Sequence, residues 1–330
     1  MINLYYSIYF LILCLIIIGL YYVFIPYLKK IKVGQYIREE GPRNHIQKAG
    51  TPTMGGIVIL ISYLITFLSF LFIFNHHNLF NEKYIEIILI LIPTLGFCLI
   101  GFIDDLLIII KKKNEGLSPL LKIILQLSLS ILFYIIFILF YNDTSINFFG
   151  SNFDLKMFFG PFLVLIFLAS TNSSNLTDGL DGLLTLVTIP IIIGFIIIGF
   201  IENNEIVVIS SIAFLLSIIS FLFFNFPKAS LFMGDTGSFL IGGYISAVSI
   251  ILKLEILLLI VCMVYIIEAI SVILQVWYFK KTKGNRLFKM APFHHHLEML
   301  GWSEVKIAIL YFFVSLFFTT VGVLMEVFLF

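Results

Sequence analysis

Apolar runs of about twenty residues, separated by short polar stretches, fill the chain from one end to the other. A helix needs roughly 20 apolar residues to cross the hydrocarbon core of a bilayer. The runs predict ten spans, at 5–28, 53–74, 84–103, 119–141, 157–171, 183–200, 206–225, 237–252, 255–279 and 304–328. The fifth run is short. Little beyond Lys253 and Leu254 separates the eighth from the ninth, so one merged helix is the alternative there. The first run has no basic residue before it and no small-residue cleavage site after it, so it reads as a retained helix. Between the fourth and fifth runs, alternation around Gly150-Ser151 predicts a small β-hairpin. The expected fold class is an all-α polytopic integral membrane protein of about ten transmembrane helices, forming one domain over residues 1–330.

Composition agrees with the pattern. Hydrophobic residues make up 61% of the chain and charged residues 12%, against about half and a quarter in soluble domains. No large soluble domain fits. Cys14, Cys98 and Cys262 sit in apolar runs without ligand or disulfide spacing and read as packing residues. The net charge of +1 is uninformative, but the placement of charge is not. Alternate loops carry Lys29, Lys30, Lys32, Arg38, Arg43 and Lys48, then Lys111 to Lys113, Lys228, and Lys280 to Lys289. The other loops carry only Lys83, Lys156 and Lys253. Basic loops stay cytoplasmic, so both termini are expected outside. No nucleic-acid partner is expected.

Polar groups at membrane depth are costly and tend to mark function. They gather in clusters, all on the expected cytoplasmic side. Asp104-Asp105 closes the third span. Two adjacent carboxylates repel, and a hard divalent cation such as Mg²⁺, shared with substrate phosphates, would relieve them. A solvated helix end is the alternative. Asn175-Leu176-Thr177-Asp178-Gly179-Leu180-Asp181-Gly182 follows the fifth span. Its Asn and Asp side chains could read a base or ribose, or simply form a turn and a helix cap. Phe232-Met233-Gly234-Asp235-Thr236-Gly237-Ser238 opens the eighth span. It could bind phosphate at a helix N-terminus, with Asp235 a metal ligand, or Asp235 or Thr236 could cap the first turn.

Arg286 to Glu298 includes His294, His295 and His296. It would meet a polyanion or anionic lipid. A fifth stretch, Lys48 to Gly56, offers Lys48 to phosphate and Gly55-Gly56 to close helix packing. Glu268 and Gln275 lie on one face of the ninth run, either functional or hydrogen-bonded between helices. Acidic and basic groups on one membrane face suit phosphoryl transfer, where positioning and charge stabilisation do most of the work. A transporter is the rival class. It would need polar groups near the bilayer midplane, and Glu268 is its best support.

Together these motifs resemble the bacterial phospho-N-acetylmuramoyl-pentapeptide-transferases, within the polyprenyl-phosphate N-acetylhexosamine-1-phosphate transferase superfamily. The resemblance runs through Lys48 to Gly56, Asp104-Asp105, Asn175 to Gly182, Phe232 to Ser238 and Met290 to Glu298, nearly the whole chain. It implies ten helices in the bacterial inner membrane, a cytoplasmic active site and a homodimer. It implies Mg²⁺-dependent transfer of phospho-N-acetylmuramoyl-pentapeptide from UDP to undecaprenyl phosphate, giving lipid I and UMP. Another UDP-N-acetylhexosamine is the nearer alternative donor. By motif position Asp235 is the metal ligand, and Asp104 and Asp105 manage lipid phosphate and metal, with Asp104 a candidate base. Asn175, Asp178, Asp181 and Phe232 would hold the uridine and nearby groups. Lys48, Lys122 and the histidines, His295 foremost among His294 to His296, would contact phosphates or sugar. One position departs. Where relatives commonly carry a basic residue four places after Asp104, this chain has Ile108, and the next basic residue is Lys111.

Overall fold

The computed structural model describes residues 4–30, 50–73, 84–111, 115–148 and 150–329. The long helices are α1 (Leu4–Lys30), α2 (Gly55–Ile73), α3 (Tyr84–Lys111), α4 (Pro119–Tyr141), α5 (Phe159–Thr177), α6 (Leu183–Ile201), α7 (Glu205–Asn225), α8 (Gly234–Ile251) and α9 (Met263–Lys281). A short helix, α10 (Phe293–Met299), precedes the last long one, α11 (Glu304–Leu329). Among the described residues, nine helices are long and apolar enough to cross a membrane. The tenth long helix, α8, is interrupted by Gly237, Gly242 and Gly243 and by serine hydroxyls. It lies inside the bundle, every residue from Thr236 to Ile250 being buried, so its polar groups meet protein rather than lipid.

Two predicted boundaries move. The fifth span extends to Thr177, six residues beyond the expected end, so Asn175 sits on a helix rather than in a loop. The extension is stabilised from within. Thr171 and Thr177 hydroxyls donate to the carbonyls of Phe167 and Ser173, at 2.7 and 2.8 Å, while Asn172 Nδ2 donates to Gln126 Oε1 of α4 at 2.9 Å. Polar residues that look like a loop in one dimension are therefore satisfied inside the bundle. The third span likewise runs on past Asp104-Asp105 to Lys111, because both carboxylates find partners in the protein. The ninth span is broken. A single turn, Leu258–Val261, precedes α9, and Cys262 joins them outside helical geometry. The eighth and ninth runs do not merge.

The expected hairpin is present. Ser145–Phe148 (β1) pairs antiparallel with Ser151–Asp154 (β2), Phe148 opposite Ser151. Lys253, in the turn after α8, reaches Asp143 beside β1 at 2.5 Å. Burial opposes ionisation of Asp143, but hydrogen bonds from Lys253 and Ser145 outweigh it and hold the carboxyl at about 2. The hairpin is thus tied to the bundle at the end of α8 remote from Asp235.

At its other end α8 approaches its neighbours closely. Gly56 of α2 lies against the backbone of Gly237, and Gly101 of α3 against the carbonyl of Asp235; a Cβ at either glycine would overlap those atoms. Backbone bonds join the same region: Gly55 and Gly56 N–H donate to the carbonyls of Phe232 and Met233 at 2.9 and 3.0 Å, and Phe232 N–H to Pro52 at 2.8 Å. The expectation that Gly55-Gly56 permits close packing holds. Gly101→Val should push α3 off the start of α8. The expected cost is about 1–3 kcal/mol or more, read as a lowered unfolding temperature in detergent together with lost activity. Wild-type stability would refute the packing argument.

Candidate active site

The ends of α3, α5 and α8 and the first turn of α4 converge on one cluster of carboxylates. Asp105 of α3, 5% exposed, faces the N-terminus of α8. Its Oδ1 accepts from the Asp235 N–H at 3.1 Å. Its Oδ2 accepts from the Thr236 N–H at 3.0 Å and the Thr236 hydroxyl at 2.6 Å. The first N–H groups of a helix have no partner within it, and here a carboxylate from another helix supplies it. The cap expected from Asp235 or Thr236 themselves therefore comes from Asp105, and the Asp235 side chain is left free for other work.

Asp104 and Asp235 share a cation. Lys122 Nζ on the first turn of α4 lies 3.1 Å from Asp104 Oδ2 and 2.9 Å from Asp235 Oδ2, above the ring of Phe239 at 5.2 Å. Asp104 Oδ1 accepts from the Leu117 N–H at 2.7 Å. Asp235 Oδ1 accepts from Asn175 Nδ2 at 2.8 Å, and the same amide donates to Ser238 Oγ at 3.0 Å. Both carboxylates are aimed by neutral donors at a point where positive charge sits.

Asp178, just beyond α5, is half-buried; its main-chain N–H donates to the carbonyls of Ser174 and Asn175 at 3.2 and 3.3 Å, while its carboxyl makes no hydrogen bond or ion pair to a described residue. Burial, reinforced by the charges of Asp235, Asp105 and Asp181, pushes its carboxyl up to about 8. Asp181 Oδ2 instead accepts from the Ala229 N–H at 2.9 Å. Asn225 of α7 bridges the two loops, accepting from Gly182 N–H at 2.8 Å and donating to the Leu231 carbonyl at 2.9 Å. Nothing in the linear pattern singles out Asn225. Phe232 is half-buried, and its backbone is held by Pro52 and Gly55.

The histidines divide. His294 is fully buried against Glu268 of α9, with Nδ1 3.0 Å from Glu268 Oε2. His295 Nδ1 pairs with Glu298 Oε2 at 3.1 Å. His296 Nδ1 accepts from the Lys289 N–H at 3.1 Å. Gln275 Oε1 accepts from the Leu287 and Phe288 N–H groups at 3.1 and 2.8 Å. Glu268 and Gln275 thus pin the following loop to α9. Glu268, the residue that would favour a transporter, is committed to His294. Lys111, the basic residue nearest to the departure at Ile108, donates to the Gly116 carbonyl at 3.1 Å. Lys48 lies outside the described residues.

The oxygen set fits a hard cation shared with phosphates. No three acidic, histidine or cysteine groups among the described residues form a closed metal cage. Mg²⁺, however, is commonly held by one or two carboxylates with substrate phosphates completing its shell. Asp104 and Asp235 already converge on one positive group, and Asp178 carries an unused carboxyl nearby.

The profile of glycosyl transferase family 4 matches residues 87–253, which contain Asp104, Lys122, Asn175, Asp178 and Asp235. Residues 48–60 match the phospho-N-acetylmuramoyl-pentapeptide-transferase signature 1. The chain is 41% identical over 309 residues to the phospho-N-acetylmuramoyl-pentapeptide-transferase of Bacillus pumilus (strain SAFR-032), covering 93% of each chain. It is 40% identical over 309 residues to that of Bacillus subtilis (strain 168), again 93% of each. With that of Staphylococcus aureus (strain bovine RF122 / ET3-1) it shares 42% over 305 residues, 91% of this chain and 92% of the relative. The chain belongs to the phospho-N-acetylmuramoyl-pentapeptide-transferase family.

Asp105→Ala should remove the α8 cap, at a cost of about 1–2 kcal/mol, and should let Asp235 drift from Lys122. Lower thermal stability and lower turnover should appear together; loss of turnover alone would mean that Asp105 acts on substrate. Asp178 gives a pH signature. Its folded value lies above the ordinary 3.8, so its contribution to stability is full below that value and disappears as pH rises to about 8. Unfolding temperature without divalent cation should fall across this window, and Asp178→Asn should flatten the fall.

Proposed function

We infer that this protein transfers phospho-N-acetylmuramoyl-pentapeptide from its UDP carrier to undecaprenyl phosphate, releasing UMP and forming lipid I for peptidoglycan. The carrying observation is the pair Asp104 and Asp235, clamped on the Lys122 ammonium and aimed there by Leu117 N–H and Asn175, in a chain of this family. By the positive-inside argument the cluster faces the cytoplasm, where a soluble nucleotide sugar is found. The acceptor's long isoprenoid chain belongs in the bilayer, among the apolar helix faces.

An acceptor phosphate oxygen attacks the sugar-linked phosphorus of the donor. A new P–O bond forms, the bond to the bridging oxygen breaks, and UMP leaves with the electron pair. A phosphate monoester has its second pKa near 6 and is mostly ionised at neutral pH. Proton removal by Asp104 is therefore at most a modest aid. A divalent cation bound with the substrate phosphates would neutralise charge on the departing UMP, and Asp104 and Asp235 are the residues to hold it. Lys122 stands between them and is placed to follow the phosphate charge as it shifts. Asn175 keeps Asp235 in its orientation through Oδ1. Asp181, Phe232 and the 178–182 loop form the side on which uridine would rest, with Lys48 and His295 as further contacts to phosphate or sugar. The working unit is a homodimer in the inner membrane.

Purified protein supplied with UDP-N-acetylmuramoyl-pentapeptide, undecaprenyl phosphate and Mg²⁺ should release UMP. Replacement of the donor by another UDP-N-acetylhexosamine should abolish release; equal rates would assign the chain a different sugar. Asp235→Asn should lower turnover at least ~100-fold, on the scale of losing a preorganised electrostatic group, and should shift the Mg²⁺ dependence. Asp104→Asn should lower it by about 10- to 100-fold. Wild-type rates in both variants at all Mg²⁺ concentrations would overturn the site.

A further inference from the structure

His294 lies in the first turn of α10, and its main-chain N–H and ring Nδ1 both meet the same side chain. The N–H donates to Glu268 Oε1 at 3.2 Å, and Nδ1 lies 3.0 Å from Oε2. Both residues are 0% exposed. Both carboxyl oxygens of Glu268 can accept, so the side chain serves the main-chain N–H and Nδ1 together when the ring hydrogen sits on Nδ1. The other ring nitrogen, Nε2, is buried without a partner among the described residues. It lies against Gly179, where any Cβ would overlap it. A buried nitrogen bearing a hydrogen would be an orphan donor, a rarer condition than an unmet acceptor. The arrangement therefore favours a bare lone pair at Nε2, directed at the 178–179 loop.

We propose that Glu268 is a positioning residue acting through His294: it sets the ring's tautomer so that Nε2 accepts a hydrogen bond from an O–H or N–H of the nucleotide sugar bound at the 178–179 loop. The pair also joins α9 to the site, because the carboxylate caps the first turn of α10 while it orients the ring. The ligand part of this inference rests on the transferase reading above. The tautomer part does not.

The test uses full-length protein labelled with ¹⁵N-histidine in lipid nanodiscs. In the wild type the His294 ring should show Nδ1 protonated and Nε2 bare. Glu268→Gln keeps the shape but offers one carbonyl and one NH₂. The carbonyl can hold the main-chain N–H, and the NH₂ then meets Nδ1, so the hydrogen should move to Nε2. UMP release should fall at least ~10-fold, in line with other losses of an orienting partner or its tautomer. In a His294→Asn background the same change should alter the rate less than about twofold, since Glu268 would have nothing left to orient. Glu268→Asp retains a carboxylate and should keep the wild-type tautomer and more activity than Glu268→Gln. This variant also serves if Glu268→Gln fails to fold.

An unchanged tautomer in Glu268→Gln, a wild-type rate, equal losses in the Asp and Gln variants, or a loss that multiplies with that of His294→Asn would each overturn the proposal. If the wild type itself releases no UMP, the transferase reading fails, while the tautomer measurement still decides whether Glu268 sets the ring.

Discussion

The geometry of the site depends on a carboxylate that does not face the open side. Asp105 accepts three hydrogen bonds from the start of α8 and so fixes the rotation and depth of that helix against α3. A helix N-terminus carries partial positive charge as well as unpaired donors, so an anion there satisfies both. The glycines at 56 and 101 make this possible by letting three backbones meet. With α8 locked, Asp235 is delivered to Lys122 and Asn175, and its adjacent residue Thr236 is spent on the lock. The acidic residues therefore have separate duties: Asp105 builds, Asp104 and Asp235 present charge, and Asp178 is held in reserve.

Lys122 makes that reserve tolerable. Four aspartates in a confined region would repel strongly, and the internal ammonium offsets part of this. It contacts two of them directly and rests on an aromatic face, an arrangement that keeps a flexible side chain in place without burying its charge completely. A bound diphosphate with its counter-ion would redistribute these contacts rather than create a charged site from nothing.

Much of this was legible in one dimension. The apolar runs located the long helices, with boundaries within about three residues except at the ends of α3 and α5 and the start of α9, because length and hydropathy decide membrane insertion locally. The hairpin at 145–154 followed from alternation and Gly150. The chemistry-bearing clusters around Asp104, Asn175 to Asp181 and Asp235 do meet in space. What was hidden is tertiary. The continuation of α5 through Thr171 to Thr177 depends on hydroxyls turned back onto their own helix and on Gln126. The cap of α8 comes from 130 residues earlier in the chain. Glu268 and His294 each stood out, but their pairing across 26 residues did not, and Asn225, which joins two loops, looks like an ordinary helix end. Breaks such as the one at Cys262 lie within uniformly apolar sequence and leave no compositional trace.

The enclosure of α8 by other helices bears on how the protein is made. A segment reading Gly-Asp-Thr-Gly-Ser at its start, with glycines and serines along its length, gains little by entering lipid alone. Its favourable surroundings are supplied by α2, α3 and α5, all synthesised earlier. Insertion of this helix is thus a docking event as much as a partitioning one. A defect in α3 that leaves its own insertion intact would still be felt during biogenesis, as failure of a later segment to find its seat.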